Sequence, residues 1–349
     1  MEPPSGLMNM GNTCYLNTLI QCMIHSNKLR NYVLSSGKHL NEHTPLWREF
    51  GILFHQLWEL KQSLVPKRFL TVVSQLSPDY LSNGYQQDMN EMWCWIIDTL
   101  QKEHVHFKLE HETCDWTFES ASNCIQMDTL EFHHSPKEFH QSCLDAWHRF
   151  HLKDSMEWTM CHEGLLVQQI CCNTCGKIYH NYEPFTSLTL EIPLREEACH
   201  LSECFQSFLK KEILNQHQQD WKCDDCNAYV LADKMVRFWK VPECLVILLK
   251  RFQYTDKGGP LKITTGVDIP LEFEFMTGTE LLPMKHKTYH LKSIGNHYGN
   301  SYGGHYNSIC WHKEHWWQID DLHVELINDS TESWSRNNSN AYMLFYERS

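Results

Sequence analysis

The sequence contains no stretch approaching the roughly 18 apolar residues of a membrane span. Its opening residues, Met1-Glu-Pro-Pro-Ser-Gly6, hold neither a basic cluster nor an apolar segment. A soluble, unsecreted protein of the cytoplasm or nucleus, with no membrane role, is therefore expected. A basic excess is also missing: 30 Lys and Arg stand against 43 Asp and Glu, a formal net charge of −13. Nucleic acid is drawn to basic patches, so it is excluded as a partner, whereas a basic peptide tail would be attracted. No low-complexity tract or internal repeat is evident, and a single compact unit, monomeric, is predicted. Sixteen cysteines are present. Without a secretory segment they read as thiols in a reducing compartment rather than as disulfides.

Among those thiols Cys14 has a distinctive context. Leu16, Leu19, Ile20, Met23 and Ile24 follow it at helical spacing, the stripe of an amphipathic helix packed on a core. Cys14 thus falls in the first turn, where unpaired N–H groups and the helix dipole favour a thiolate. Before it, Gly11 suits a tight loop, and Asn12 or Thr13 is placed to cap the helix. Such a loop aims backbone N–H groups and the amide of Asn9 at one point, as a developing oxyanion requires. Taken alone, Cys14 would be a buried small hydrophobe.

The far end of the chain changes that balance. Tyr289–Ile294 and Asn307–Trp311 alternate as strands, so Gly295–Gly304 is predicted to be a glycine-rich hinge between them, with His305 at its mouth. Trp316–Asp321 forms a further strand ending in two carboxylates. Cysteine, histidine and aspartate in this arrangement are the nucleophile, base and orienter of a thiol hydrolase, the acid fixing the imidazole tautomer.

Three middle segments add to this. Gly84–Glu91 opens a helix with the apolar face Met89, Met92, Trp93, Ile96, Ile97 and Leu100. The run Val241–Phe252 reads as a strand buried on both faces. Cys172-Asn-Thr-Cys175 and Cys223-Asp-Asp-Cys226 have the ligand spacing of a tetrahedral zinc site. The chain between them is longer than a usual zinc-ribbon insert, so spacing alone leaves a metal site and a redox pair both open. Cys171, beside Cys172, leaves one ligand open as well.

The cysteine segment, from Gly6-Leu-Met-Asn9 through Gly11-Asn12-Thr13-Cys14-Tyr15 and Asn17 to Gln21, and the histidine segment, from Tyr289 through His297 and Gly299 to Gly304-His305-Tyr306, resemble the two boxes of the ubiquitin-specific proteases, papain-like cysteine deubiquitinases. Gln86-Gln87-Asp88 with Glu91, and Pro242 to Lys250-Arg251-Phe252, are similar to further segments of that family. The resemblance covers almost the whole chain. It implies an α+β fold of thumb, fingers and palm, and hydrolysis after the C-terminal Gly-Gly of ubiquitin. It implies Cys14 as nucleophile, His305 as general base and Asp320 as third member, with Asp321 as an alternate to Asp320 and Asn9 at the oxyanion. Asp88 and Glu91 would meet arginines of the ubiquitin tail, although acids also favour a first helical turn for its own sake. Gly304 and Tyr306 would line a narrow Gly-Gly passage. Cys172, Cys175, Cys223 and Cys226 would hold a structural Zn2+ with no part in cleavage.

The implied boundaries are one catalytic domain over 5–347, with the thumb at 5–130, the fingers mainly at 160–195 and 218–240, and the palm at 241–347. The segment 103–140, rich in His, Glu and Cys, is expected to be a family-specific insertion. Met156–Gly164 departs from the family pattern, which favours a more apolar strand there. Two other functions compete: a catalytically silent ubiquitin-binding adaptor, and a protease for another ubiquitin-like modifier.

Overall fold

A computed structural model describes residues 2–36, 44–78, 84–111, 136–151, 156–215, 220–254, 258–279, 282–300, 303–328 and 332–349. A helical layer comes first in the chain: α1 (Cys14–His25), α2 (Asn27–Ser36), α3 (Pro45–Phe54), α4 (Lys67–Leu76) and α5 (Met89–His111). Two shorter helices, α6 (Pro136–Phe150) and α7 (Met156–His162), lead into the sheets, and α8 (Leu201–Leu209) lies between them. The departure at Met156–Gly164 is thus mostly helical, with Trp158, Thr159 and His162 buried. Residues 112–135, the greater part of the expected insertion, lie outside the described residues; its flanks belong to α5 and α6.

The large sheet runs β17 (His323–Leu326), β16 (His315–Asp320), β15 (Gly303–His312), β14 (Leu282–Asn300), β18 (Ala341–Arg348), β9 (Cys244–Lys250) and β3 (Leu188–Glu191), with β13 (Glu272–Thr279) also paired to β14. A second sheet has the order β2 (Ile178–Phe185), β1 (Gly164–Cys172), β8 (Ala232–Lys240) and β5 (Glu212–Leu214). Two-stranded pairs complete the structure: β6 (Lys222–Cys223) with β7 (Ala228–Tyr229), β10 (Phe252–Tyr254) with β11 (Pro260–Lys262), and β12 (Val267–Asp268) with β4 (Cys199–His200). The predicted finger segment 160–195 includes β3, which pairs instead in the large sheet.

β9 follows its expected burial, since every residue from Cys244 to Leu249 is buried or nearly so. That continuous apolar run suits a strand covered on both faces. The face predicted for α5 is also buried throughout, from Met89 to Leu100.

α1 is a different case, because all twelve of its residues are buried. Its apolar stripe packs with Trp47, Phe50, Phe54 and Trp93 of the helical layer, each such side chain contributing roughly 1.5–3 kcal/mol by leaving water. Its polar stripe does not face solvent: it turns to β14, β15 and β16 of the large sheet. Burial requires those polar groups to find partners. Gln21 Nε2 donates to Ser5 O at 2.8 Å, Asn17 Nδ2 donates to Asp321 Oδ1 at 2.7 Å, and His25 Nδ1 contacts Gln21 O at 2.8 Å. The helix is therefore a wedge between the two layers, with Cys14 at its leading end on the seam.

Candidate active site

Gly11 and Asn12 both adopt left-handed backbone conformations, φ 96° and 57°, and swing the chain into α1. Neither Asn12 nor Thr13 caps the helix, contrary to expectation. Thr13 is the cap residue but makes no capping side-chain bond, and Asn12 Nδ2 reaches away to Gly84 O at 3.0 Å. Asn9 organises this loop instead. Its Oδ1 accepts from the N–H of Gly11 (3.0 Å), the N–H of Thr13 (3.1 Å) and the Thr13 hydroxyl (3.2 Å). Without a side-chain cap, first-turn N–H groups stay available, and those of Cys14 and Tyr15 act on the Cys14 thiol.

The thiol of Cys14 also meets the backbone N–H of Tyr306 on β15. Cys14 is 1% exposed. Burial pushes its pKa up and outweighs those N–H groups, which pull it down; the nearby Asp321 carboxylate pushes it up further. The thiolate expected from the helix terminus alone is therefore not favoured in the free protein.

His305 sits one residue before Tyr306, and its Nε2–H donates to Asp320 Oδ1 at 2.5 Å. That bond fixes the tautomer and leaves Nδ1 as the basic nitrogen. Asp320 closes β16, while Asp321, next in sequence, turns left-handed at φ 52°. The kink sends the two adjacent carboxylates to different tasks. Asp321 accepts from Asn17 Nδ2 at 2.7 Å and from Asn9 Nδ2 at 3.0 Å, so it braces the cysteine loop rather than the imidazole. Gly6 permits this approach, since a Cβ there would lie 2.6 Å from Asp321 O.

The predicted hinge at Gly295–Gly304 is a correction. β14 runs unbroken to Asn300 and pairs with β15 as far as Asn300↔Gly303, so His305 is held in a sheet rather than at the mouth of a loop. Alternating residues there read as glycine-rich coil because the strands approach too closely for side chains: a Cβ on Gly304 would lie 2.0 Å from Tyr298 O and 2.5 Å from His297 Nε2. Lys262 secures the same hairpin from β11, donating to His297 O at 2.7 Å and Gly299 O at 3.2 Å.

Of the expected tail contacts, Asp88 is committed to the protein itself. Its Oδ1 accepts from the N–H groups of Asn90 and Glu91 at 2.8 and 3.0 Å, capping α5, and its Oδ2 accepts from the Tyr342 hydroxyl. Glu91 is exposed, with its pKa raised by partial burial and by Asp88. The Tyr306 side chain is buried against His297 and Tyr342, so only its backbone faces the site. Gln86, named in the family-like segment but given no role there, bonds both backbone groups of Gly304: its Oε1 accepts from the Gly304 N–H at 2.7 Å and its Nε2 donates to Gly304 O. Nothing in the sequence distinguished Gln86 from its neighbour Gln87.

The two Cys-x-x-Cys segments meet at the tip of the second sheet. Cys172 ends β1, Cys223 lies in β6, and each segment closes with a left-handed residue, Gly176 (φ 73°) or Asn227 (φ 49°). All four sulfurs lie within 4.8 Å of one another, with Cys172–Cys226 and Cys175–Cys223 both at 3.8 Å. A tetrahedral ion with metal–sulfur bonds of about 2.3 Å places its ligands roughly 3.8 Å apart, so the cluster fits one metal. Cys171 is not part of the cluster.

The family model described as ubiquitin carboxyl-terminal hydrolase matches residues 5–346. The chain belongs to that family. Among its relatives, the probable ubiquitin carboxyl-terminal hydrolase 4 of Schizosaccharomyces pombe is 28% identical over 99% of this chain and 59% of its own length. Ubiquitin carboxyl-terminal hydrolase 2 of Homo sapiens is 27% identical over 98% of this chain and 55% of its own length. The chain thus spans a little over half the length of these hydrolases. The SAGA Ubp8/Sgf11/Sus1/Sgf73 DUB module bound to ubiquitin aldehyde is a structural neighbour, with TM-score 0.72 and 24% identity over 100% of this chain and 71% of the other. That likeness establishes the α+β ubiquitin-specific protease fold.

Proposed function

We propose that this hydrolase-family chain is a cysteine deubiquitinase that cleaves the isopeptide or peptide bond after the terminal Gly-Gly of ubiquitin. The observation that carries this is the seam itself: a thiol at a helix start, beneath the strand whose next-door imidazole is oriented by Asp320 at 2.5 Å. Family membership and a neighbour bound to ubiquitin aldehyde support the substrate.

His305 Nδ1 takes the proton of the Cys14 thiol, and the thiolate attacks the glycine carbonyl. Negative charge builds on the carbonyl oxygen where Asn9 Nδ2 and first-turn N–H groups are available, each such donor worth about 3 kcal/mol in the transition state. The imidazolium returns its proton to the leaving amine, and a thioester remains. His305 then draws a proton from water, the hydroxide adds to the thioester, and the thiol leaves with that proton. Asp320 holds the ring orientation throughout. We read Gly304, which brings no side chain of its own to the seam, as one wall of the passage for a tail that ends in two glycines, and Glu91 is the acid free to meet a basic residue of that tail.

Zinc is our reading for the four-cysteine cluster, because four thiolates with no open position suit a structural ion. It would brace the tip of β1, β2 and β6–β7, which with β8 we assign to the fingers; the helices before residue 112 form the thumb and the large sheet the palm. Free catalytic and metal-binding thiols favour a reducing compartment, cytoplasm or nucleus.

The test is reaction of the protein, and of Cys14→Ala, with ubiquitin carrying a C-terminal electrophile. A covalent adduct in the wild type alone is expected. Binding without an adduct would indicate a silent adaptor, and absence of both would point to another ubiquitin-like modifier.

A further inference from the structure

β15 is paired along both edges only in part. β14 covers one edge from Gly303 to Cys310, whereas β16 covers the other only from Ser308 to His312. In an antiparallel ladder, successive residues send their N–H and C=O groups to opposite edges. His312 and His315 close the two-residue turn Lys313–Glu314, both left-handed, which makes them a hydrogen-bonded pair; Ser308, Cys310 and His312 therefore face β16, and Gly304 and Tyr306 face the same side, toward the seam rather than toward β14. Two facts fit this parity: the Tyr306 N–H meets the Cys14 thiol, and both polar groups of Gly304 are met by Gln86. His305 points its backbone the other way, into its pair with Tyr298.

An extended chain whose carbonyl is attacked by Cys14 has this uncovered edge to run along. Strand rise is about 3.3 Å per residue, so Gly304 lies roughly 7 Å along the edge from Tyr306, two residues back from the bond to be cut. Its N–H and C=O point to this edge and are held there by a side chain rather than by a strand. Gln86 presents the complementary pair, a carboxamide oxygen to the N–H and a carboxamide nitrogen to the carbonyl, as a residue of a neighbouring antiparallel strand would. The segment bearing Gln86 is also tied to the opposite lip of the seam, through Asn12 Nδ2 and Gly84 O at 3.0 Å.

We propose that Gln86 is a placeholder for the substrate backbone: its carboxamide pairs with Gly304 in the free protein and gives up that pairing to the incoming tail. This rests on the tail-binding reading above. Gln86 thereby sets specificity, since only a chain that supplies its own N–H and C=O in the extended register, with no side chain to strike Gly304, compensates for the bonds it displaces. A tail that sits away from the edge leaves Gln86 in place and gains nothing from the strand. Side-chain bonds at an exposed site are worth little net, so the exchange is nearly balanced and the cost to binding is small but measurable.

The test uses Gln86→Ala and Gln86→Met on the whole chain, with two readouts. Hydrogen exchange of the peptide containing Gly304, measured without ubiquitin, should quicken in both variants, because the amide loses its acceptor. In hydrolysis of a ubiquitin C-terminal fluorogenic amide, KM should fall about threefold to tenfold, by more than any change in kcat. Unchanged exchange would overturn the pairing in solution. Faster exchange with KM raised or unaltered would show that the tail does not displace Gln86, and would overturn the placeholder role. If the wild type does not hydrolyse ubiquitin but its exchange at Gly304 still depends on Gln86, the proposed substrate fails while the latch on the strand edge stands.

Discussion

Two neighbouring aspartates end the same strand, and one backbone torsion divides their work. Asp320 keeps its strand conformation and binds His305; Asp321 turns left-handed and binds Asn9 and Asn17. Replacing Asp320 with Asn should lower kcat by up to about 10⁴-fold, the loss expected when an imidazole takes the wrong tautomer. Asp321→Ala should lower kcat less, because the Asn9 amide loses only its brace, but it should also reduce the melting temperature, since buried Asn17 loses its acceptor at 2.7 Å and keeps only the Leu7 carbonyl at 3.4 Å. Kinetics on ubiquitin amides together with thermal melts separate the two; a larger kcat loss at Asp321 would make it the partner of the imidazole. The Cys14 thiol supplies a pH prediction. Burial raises its pKa above the usual thiol value, so in the free protein the thiolate fraction is small at neutral pH and grows as pH rises beyond the ordinary thiol range. Alkylation of Cys14 by iodoacetamide should still be climbing with pH above 8. A plateau reached by pH 7 would refute it.

At the scale of elements, the β14–β15 hairpin places His305, and the four-cysteine cluster sits at a separate sheet tip. The hairpin depends on contact too close for any side chain, so Gly304→Ala must push β14 and β15 apart, with Tyr298 O and His297 in the way. A fall in kcat/KM of at least tenfold is expected, with β-sheet content unchanged by circular dichroism. The cluster makes the opposite prediction. A strong chelator, or Cys223→Ser, should lower metal content and melting temperature while the remaining folded protein keeps its kcat, because the four sulfurs belong to the second sheet and not to the seam. Cys171→Ser should leave the metal content untouched.

In the whole molecule, α1 lies buried between helical layer and sheet, and that junction carries a titratable group. His25, at the end of α1, is buried between Trp58 and His312, with Nε2 lacking a partner among the described residues. Burial holds its pKa down at about 4. The unfolded chain binds this proton near pH 6.5 and the folded chain only near pH 4, so stability is full above pH 6.5 and falls as pH drops between those values. The loss approaches about 1.4 kcal/mol per pH unit for this group. Urea midpoints should therefore decline from pH 6.5 to pH 4.5, and His25→Gln should make the decline shallower without abolishing it, because burial also holds His312 and His297 down at about 4. By itself the sequence marked Cys14 and His305 as candidate nucleophile and base, the buried strand β9 and the two Cys-x-x-Cys segments, because each lies in a local pattern of spacing or periodicity that neighbouring residues impose. It also marked the apolar stripe of α1, but not what covers the opposite face, since periodicity records polarity and not what lies against it. Only the tertiary structure decided that Asn17, Gln21 and His25 are buried against the sheet, that Asp320 rather than Asp321 meets His305, and that Gln86 reaches Gly304. Those choices join residues hundreds of positions apart, and a single torsion or strand parity, invisible to composition, selects among chemically equal side chains.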